Sequence, residues 1–148
     1  MYIHKASLED FQQGKIPSDF TLDQQLADHF TRYSQVEPHI QAFIDEENHT
    51  VRMKREAAHL KQTYRGKTKP PLYGIPVAIK DLIHVDGWLT RAGSALPPKE
   101  LTGEEGTLVK ELRKKGALIA GKTVTEEFAY SSPIPTRNPH HLEHSPGG

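Results

Sequence analysis

Leu72-Tyr73-Gly74-Ile75-Pro76-Val77-Ala78-Ile79-Lys80-Asp81 leads from a glycine and a proline through apolar residues into two adjacent, opposite charges. Ile75 to Ile79 is short, apolar and bounded at both ends, the pattern of a strand buried in a sheet. Ala117 to Ala120 is a second run of the same kind. Between them lies one well-marked helix. Glu104 and Glu105 sit at its positive N-terminal end, and Leu108, Val109 and Leu112 give it an apolar face. Lys110, Arg113, Lys114 and Lys115 lie toward its C-terminal end, before Gly116 stops it. A strand, a helix-bearing connection and another strand are what a parallel βαβ unit requires, so the sequence predicts an α/β fold.

The character of the chain changes at Lys69-Pro70-Pro71. Ahead of that break Thr21 is the N-cap of a helix whose apolar positions Leu22, Leu26, Phe30 and Tyr33 share one face, and the helix should end near Pro38. Ile40 to Ile44 reads as a short strand or extended link. Thr50 to Tyr64 reads as a second helix with a looser stripe of Val51, Met53, Ala57, Leu60 and Tyr64, its charged side carrying Lys54, Arg55, Glu56 and Lys61. Residues 1–70 therefore form a helical lead-in and residues 71–148 a first αβ part. About three short strands are expected in all. From Ser131 onward Pro133, Pro135, Pro139 and Pro146 leave no periodic element.

Composition narrows the function. The 148 residues carry 19 basic and 19 acidic side chains, so no overall field draws the chain to nucleic acid or to an anionic membrane. The absence of cysteine removes disulfides, thiolate metal sites and a cysteine nucleophile together. Met1 to Gly14 holds no signal-peptide core, and no run approaches the ~20 apolar residues of a membrane span. Asn48-His49-Thr50 matches a glycosylation acceptor, but without an export signal it reads as a chance tripeptide. These features describe a soluble, cytoplasmic protein.

Lys80 is the residue that points to chemistry. A lysine buried at a strand end loses solvation, which disfavours the ammonium form and makes a neutral amine available as a general base. By itself the position more simply describes an ordinary surface lysine. The surrounding residues decide between the two. Gly74-Ile75-Pro76-Val77-Ala78-Ile79-Lys80-Asp81 is similar to a stretch of the amidase signature family, and further segments match in order and near spacing. They are Thr90-Arg91-Ala92-Gly93-Ser94, the helix from Gly106 to Lys115, Gly116-Ala117-Leu118-Ile119-Ala120-Gly121-Lys122-Thr123, Glu127-Phe128-Ala129, Asn138-Pro139 and His144-Ser145-Pro146-Gly147-Gly148. Tyr33, the stretch Glu37 to Phe43 and the helix after it resemble the family's helical lead-in. The likeness covers roughly residues 28 to 148.

The resemblance implies a partial mixed sheet flanked by helices, the N-terminal part of the amidase signature fold. It also implies hydrolysis of a carbon-nitrogen amide bond in a small-molecule substrate, without metal or organic cofactor. In that family a lysine, a serine with a cis peptide bond and a nucleophilic serine act in series, and by resemblance Lys80 is the lysine. Both serines are expected beyond Gly148, so this chain alone should be inactive. Ser94, Ser131, Ser132 and Ser145 have no neighbouring pattern that would make one of them a nucleophile. Asp81 is expected to hydrogen-bond the loop after Lys80. An amidotransferase subunit of the same family, passing ammonia to an aminoacyl-tRNA, would carry the same lead-in and lysine. Sheet edge left open should invite self-association.

A reading of another class comes from His140-His141-Leu142-Glu143-His144, which satisfies the H-x-x-E-H pattern of a class of zinc peptidases and would make the chain a zinc-binding module. That pattern needs a helix to bring its ligands to one face, and Pro139 and Pro146 leave little room for one. A polar loop is the simpler reading. His4, His29, His39, His49, His59 and His84 lack ligand spacing and are expected on helix or loop surfaces.

Overall fold

The computed structural model describes residues 21–130 and 132–147. Its elements run α1 (Leu22–Ile40), α2 (His49–Thr63), β1 (Pro76–Lys80), α3 (Thr107–Lys114) and β2 (Leu118–Thr123). β1 and β2 pair in parallel with α3 in their connection, which is the expected βαβ unit and an α/β fold. The described residues hold two strands rather than three. Residues 40–44 instead form an extended link laid along the other edge of β2, where Phe43 bridges Thr123 in antiparallel sense. Around it Ile44 N–H donates to Lys122 O (2.8 Å) and Val124 N–H to Ala42 O (2.9 Å).

Local sequence explains the helix ends. Thr21 accepts a hydrogen bond from Gln24 N–H while the Gln24 side chain accepts from Thr21 N–H, a reciprocal capping box that opens α1. The helix ends at Ile40, close to the expected Pro38, with Pro38 inside its last turn. There the absent N–H removes a single helical bond, buried Ile40 anchors the turn, and left-handed Gln41 closes it by donating its N–H to Glu37 O.

Helices cover the sheet on both sides. Leu22, Leu26, Met53, Ala57 and Leu60 pack with Leu118 and Ala120 in one cluster, edged by Phe30, Phe43, Tyr64 and Tyr73. Ile79, Val85, Val109 and Ile119 form the second, edged by Val77, Ile83, Trp88 and Leu112. Both helical stripes shift from their expected centres. Val51 is 66% exposed and the buried side of α2 is completed by His49 and Arg52, while in α3 Leu108 points out and Val109 is fully buried. Glu105 does not simply face a helix dipole. Its buried carboxylate accepts from Asp86 N–H (3.0 Å) and Arg113 Nε (3.3 Å), joining loop and helix.

Two features set the shape of the strand ends. The β1–β2 register runs Val77↔Ile119 and then Ala78↔Gly121, so β2 carries one extra residue, a bulge at Ala120. A tight turn then brings residues 90–94 against 125–129. Gly93 (φ 65°) lies so close that a Cβ there would sit 2.5 Å from Thr125 O, a contact only glycine permits. Gly93→Ala should therefore destabilise the fold by about 1–3 kcal/mol, read as a lower urea midpoint with an unchanged slope.

His29 and His49 depart from the expected surface placement. The His49 ring is buried, 5.8 Å from His29 and 4.5 Å from Tyr33, and neither histidine Nε2 has a hydrogen-bond partner. Burial, with His49 as a like-charged neighbour, pushes His29 down to about 4. His49 is lowered too, first by burial and further by Arg52, against its contact with the Ala120 backbone and the charge of Glu46. The unfolded chain thus binds more protons than the folded one between the ordinary histidine range and about pH 4. Stability should be fully present above pH ~6.5 and fall as the pH drops from there. For His29 the loss by pH ~5 should be about 1 kcal/mol after allowance for its partial exposure, and His29→Phe should remove that part of the acid sensitivity in thermal melts at several pH values.

Candidate active site

Parallel pairing puts the C-terminal ends of β1 and β2 side by side, with Lys80 opposite Thr123 and Ile79 opposite Lys122. Ile79 and Asp81 are buried while Ala78 and Lys80 are exposed, so the alternation of the strand sends the Lys80 side chain away from the core. The expected desolvation of Lys80 is not provided by the described residues. Among the described residues β1, five residues long, has β2 as its one strand neighbour, and Lys80 at its end is exposed. The buried lysine is Lys122, which the sequence reading did not single out.

Lys122 and Asp81 are each 1% exposed. Lys122 Nζ lies 2.6 Å from Asp81 Oδ1, donates to Thr90 Oγ1 (2.8 Å) and donates to Leu89 O (3.1 Å). The short contact to Oδ1 is one of charge, because that oxygen has no aligned hydrogen bond. Asp81 Oδ2 accepts from Arg91 N–H (3.1 Å), Asp81 O accepts from Ala92 N–H (3.1 Å), and Asp81 N–H donates to Thr123 O (3.1 Å). Asp81 thus hydrogen-bonds the loop after Lys80, as the sequence suggested, and Lys122 holds the same loop from the neighbouring strand. A signal for this was present: two parallel apolar runs end in a carboxylate and an ammonium.

Beyond the pair the chain adopts strained conformations. Ala92, Phe128 and Ala129 all have left-handed backbone (φ 53°, 47° and 58°), and Phe128 N–H donates to Ala92 O (2.8 Å). Leu82, Leu89, Leu96, Phe128 and Tyr130, all in the loops leaving the strand ends, are exposed, Tyr130 by 85%. These loops thus present exposed apolar side chains at the end of the sheet that carries Lys80.

The serines stand apart from it. Ser94 Oγ accepts from Leu96 N–H (3.1 Å) and Ser132 Oγ from Glu127 N–H (2.7 Å), both local turn contacts, whereas Ser145 is exposed and Ser131 lies outside the described residues. Residues 139–143 form turns around the Asn138–His141 bridge instead of a helix. The His141 and His144 rings meet edge to face at 4.4 Å, and among the described residues no three His, Cys, Asp or Glu side chains gather as metal ligands. This segment is held to the helical layer, with Arg137 N–H donating to Ile40 O and Thr136 Oγ1 to Gln41 O. No helix among the described residues is long and apolar enough to cross a membrane. His4 and the stretch Met1 to Gly14 lie outside the described residues.

Known proteins resemble this chain in sequence and fold. The chain is 37% identical over 126 residues to a glutamyl-tRNA(Gln) amidotransferase subunit of Carboxydothermus hydrogenoformans, covering 80% of this chain and 26% of that protein. It is 44% identical over 96 residues to an amidase of Pseudomonas putida, covering 63% of this chain and 20% of the other. The crystal structure of the native peptide amidase from Stenotrophomonas maltophilia superposes with a TM-score of 0.73 at 28% identity, over 97% of this chain and 32% of that one. The chain thus spans about a fifth to a third of the length of these relatives. A family model described as Amidase matches residues 25–148, most of the sequence. The chain belongs to the amidase signature family.

Proposed function

We propose that this chain supplies the general base, Lys80, of an enzyme that hydrolyses a carbon-nitrogen amide bond in a small-molecule substrate. What supports the reading is the placement of Lys80: an exposed amine at the C-terminal end of a parallel strand, next in sequence to Asp81 and the turn that Asp81 anchors. Ligand sites in parallel α/β sheets lie at such strand ends. In this reading two serines from sequence after Gly148 complete the site and cover the amine. Neutral Lys80 then takes a proton, through the bridging serine, from the nucleophilic serine. That oxygen attacks the amide carbonyl, the departing amine receives the proton, and water hydrolyses the acyl-enzyme. The helical lead-in (1–70) and the αβ part (71–148) serve one amidase domain continuing past residue 148. No resident metal or organic cofactor takes part.

A second reading is an amidotransferase subunit, favoured by the name that several of the relatives share, that of a glutamyl-tRNA(Gln) amidotransferase component. It uses Lys80 in the same way and differs in the fate of the ammonia. Ammonia released from glutamine only in the presence of partner subunits and charged tRNA would favour it over a free-standing amidase.

Lys80→Met in the intact protein should lower kcat for ammonia release at least ~100-fold with little change in KM, as loss of a general base requires. Wild-type turnover in that variant would end the proposal. The outer edge of β1 has no strand partner among the described residues, so the 148-residue chain should self-associate through it. Light scattering across a concentration series should show a rising mean mass. A monomer at every concentration would remove this part of the reading.

A further inference from the structure

The bulge in β2 has a directional effect. Leu118 and Ala120 face the α1–α2 cluster and Ile119 the opposite one, so unbroken alternation would send residue 122 toward α1 and α2. The extra residue resets that parity. Gly121 also faces the α1–α2 side, since a Cβ on it would sit 2.7 Å from the Phe43 ring, and Lys122 falls opposite Ile79 on the far side, where Asp81 is. Arg52 holds the bulge open. Its Nη1 and Nη2 donate to Ile119 O (2.7 Å) and Ala120 O (3.3 Å), the carbonyls at the irregularity, while Glu46 and Glu56 neutralise it.

We propose that Lys122, aimed by this bulge, is a positioning residue for Lys80: it fixes the backbone that follows Lys80 and neutralises the carboxylate of Asp81, the next residue in sequence. A carboxylate one residue from a general-base lysine is a hazard, because an unpaired negative charge nearby favours the ammonium form and removes the base. Asp81 is nevertheless needed, since its side chain and backbone tie Lys80 to the 90–92 turn and to Thr123. Lys122 resolves the conflict. Its ammonium, 2.6 Å from Asp81 Oδ1, leaves the anchor in place and cancels its charge. The inference takes its meaning from Lys80 as base, but its test reads the Lys80 amine itself.

The test is competitive acetylation of the 148-residue chain at about pH 9, where carboxylates are ionised and a lysine is partly neutral, with each lysine's rate read by peptide mass spectrometry. Lys122→Met should slow acetylation of Lys80 by about threefold, since the carboxylate is left unneutralised. Adding Asp81→Asn to that variant should restore the wild-type rate. A purely structural role gives no such rescue, so a doubly substituted chain as slow as Lys122→Met, or a Lys122→Met chain at the wild-type rate, overturns the proposal. Should the variants not fold, the wild-type chain decides: Lys122 should acetylate at least ~100-fold more slowly than Lys80, and comparable rates would show that the pair is not closed. Loss of turnover in Lys80→Met of the intact protein, together with an unchanged Lys80 labelling rate in Lys122→Met, would overturn this inference and leave the proposed function standing.

Discussion

Arg52 connects the helical layer to the sheet. A bulge in a strand leaves carbonyls without ladder partners, and a buried carbonyl without a donor costs about 1–3 kcal/mol. Arg52 supplies donors to Ile119 O and Ala120 O from the side of α2, with its guanidinium 4.6 Å over the Trp88 ring. Its own burial is tolerable only because Glu46 accepts at 2.6 and 2.9 Å and Glu56 at 3.0 Å. Planar and five-donored, it can reach two carbonyls and two carboxylates together, which a lysine could not. The irregularity of β2, the direction of Lys122 and the anchoring of Asp81 follow from it in turn.

The size of the sheet explains why so much is fastened by polar contacts. Two short parallel strands bury little by themselves, and each face must borrow a cover. One face receives α1 and α2 through Met53, Ala57 and Leu118, and the other α3 and the 82–88 loop through Val109, Ile119 and Ile79. Neither cluster is large. Ion pairs and turn contacts therefore carry the geometry of the strand ends, where apolar burial gives way to the exposed Leu89, Phe128 and Tyr130.

What could be read from the residues follows the same division. The βαβ unit was legible because Ile75 to Ile79 and Ala117 to Ala120 are apolar runs with few alternatives, and Thr21 was legible as a cap because its box is local. Buried polar residues were not. His49, Arg52 and Lys122 look like surface residues in a linear sequence, and only long-range contacts, such as Arg52 with a carbonyl 67 residues away, reverse that. The bulge at Ala120 leaves no local mark either, since Gly121 faces the same side as Leu118 and Ala120 only through contacts distant in sequence, with Phe43 against Gly121 and Arg52 on the carbonyls of Ile119 and Ala120. Of the candidate site, Lys80 and Asp81 were visible as a motif, whereas their relation to Lys122 was visible only in the fold.

That relation changes what Lys80 requires. Burial of the lysine at its own strand end would make it a base by dryness alone, but its amine is exposed and its alternation points it outward. The work divides instead between two lysines of opposite character. Lys122 is enclosed, with Asp81, Thr90 and Leu89 around its Nζ, whereas Lys80 is exposed and, among the described residues, has no carboxylate contact. A buried ion pair of this kind is weak evidence for stability, since an apolar pair of the same volume often serves as well. With Lys80 as the proposed base, the pair's presence one residue away is explained by what it keeps off: a negative charge next in sequence to an amine that, in that proposal, gives up its proton.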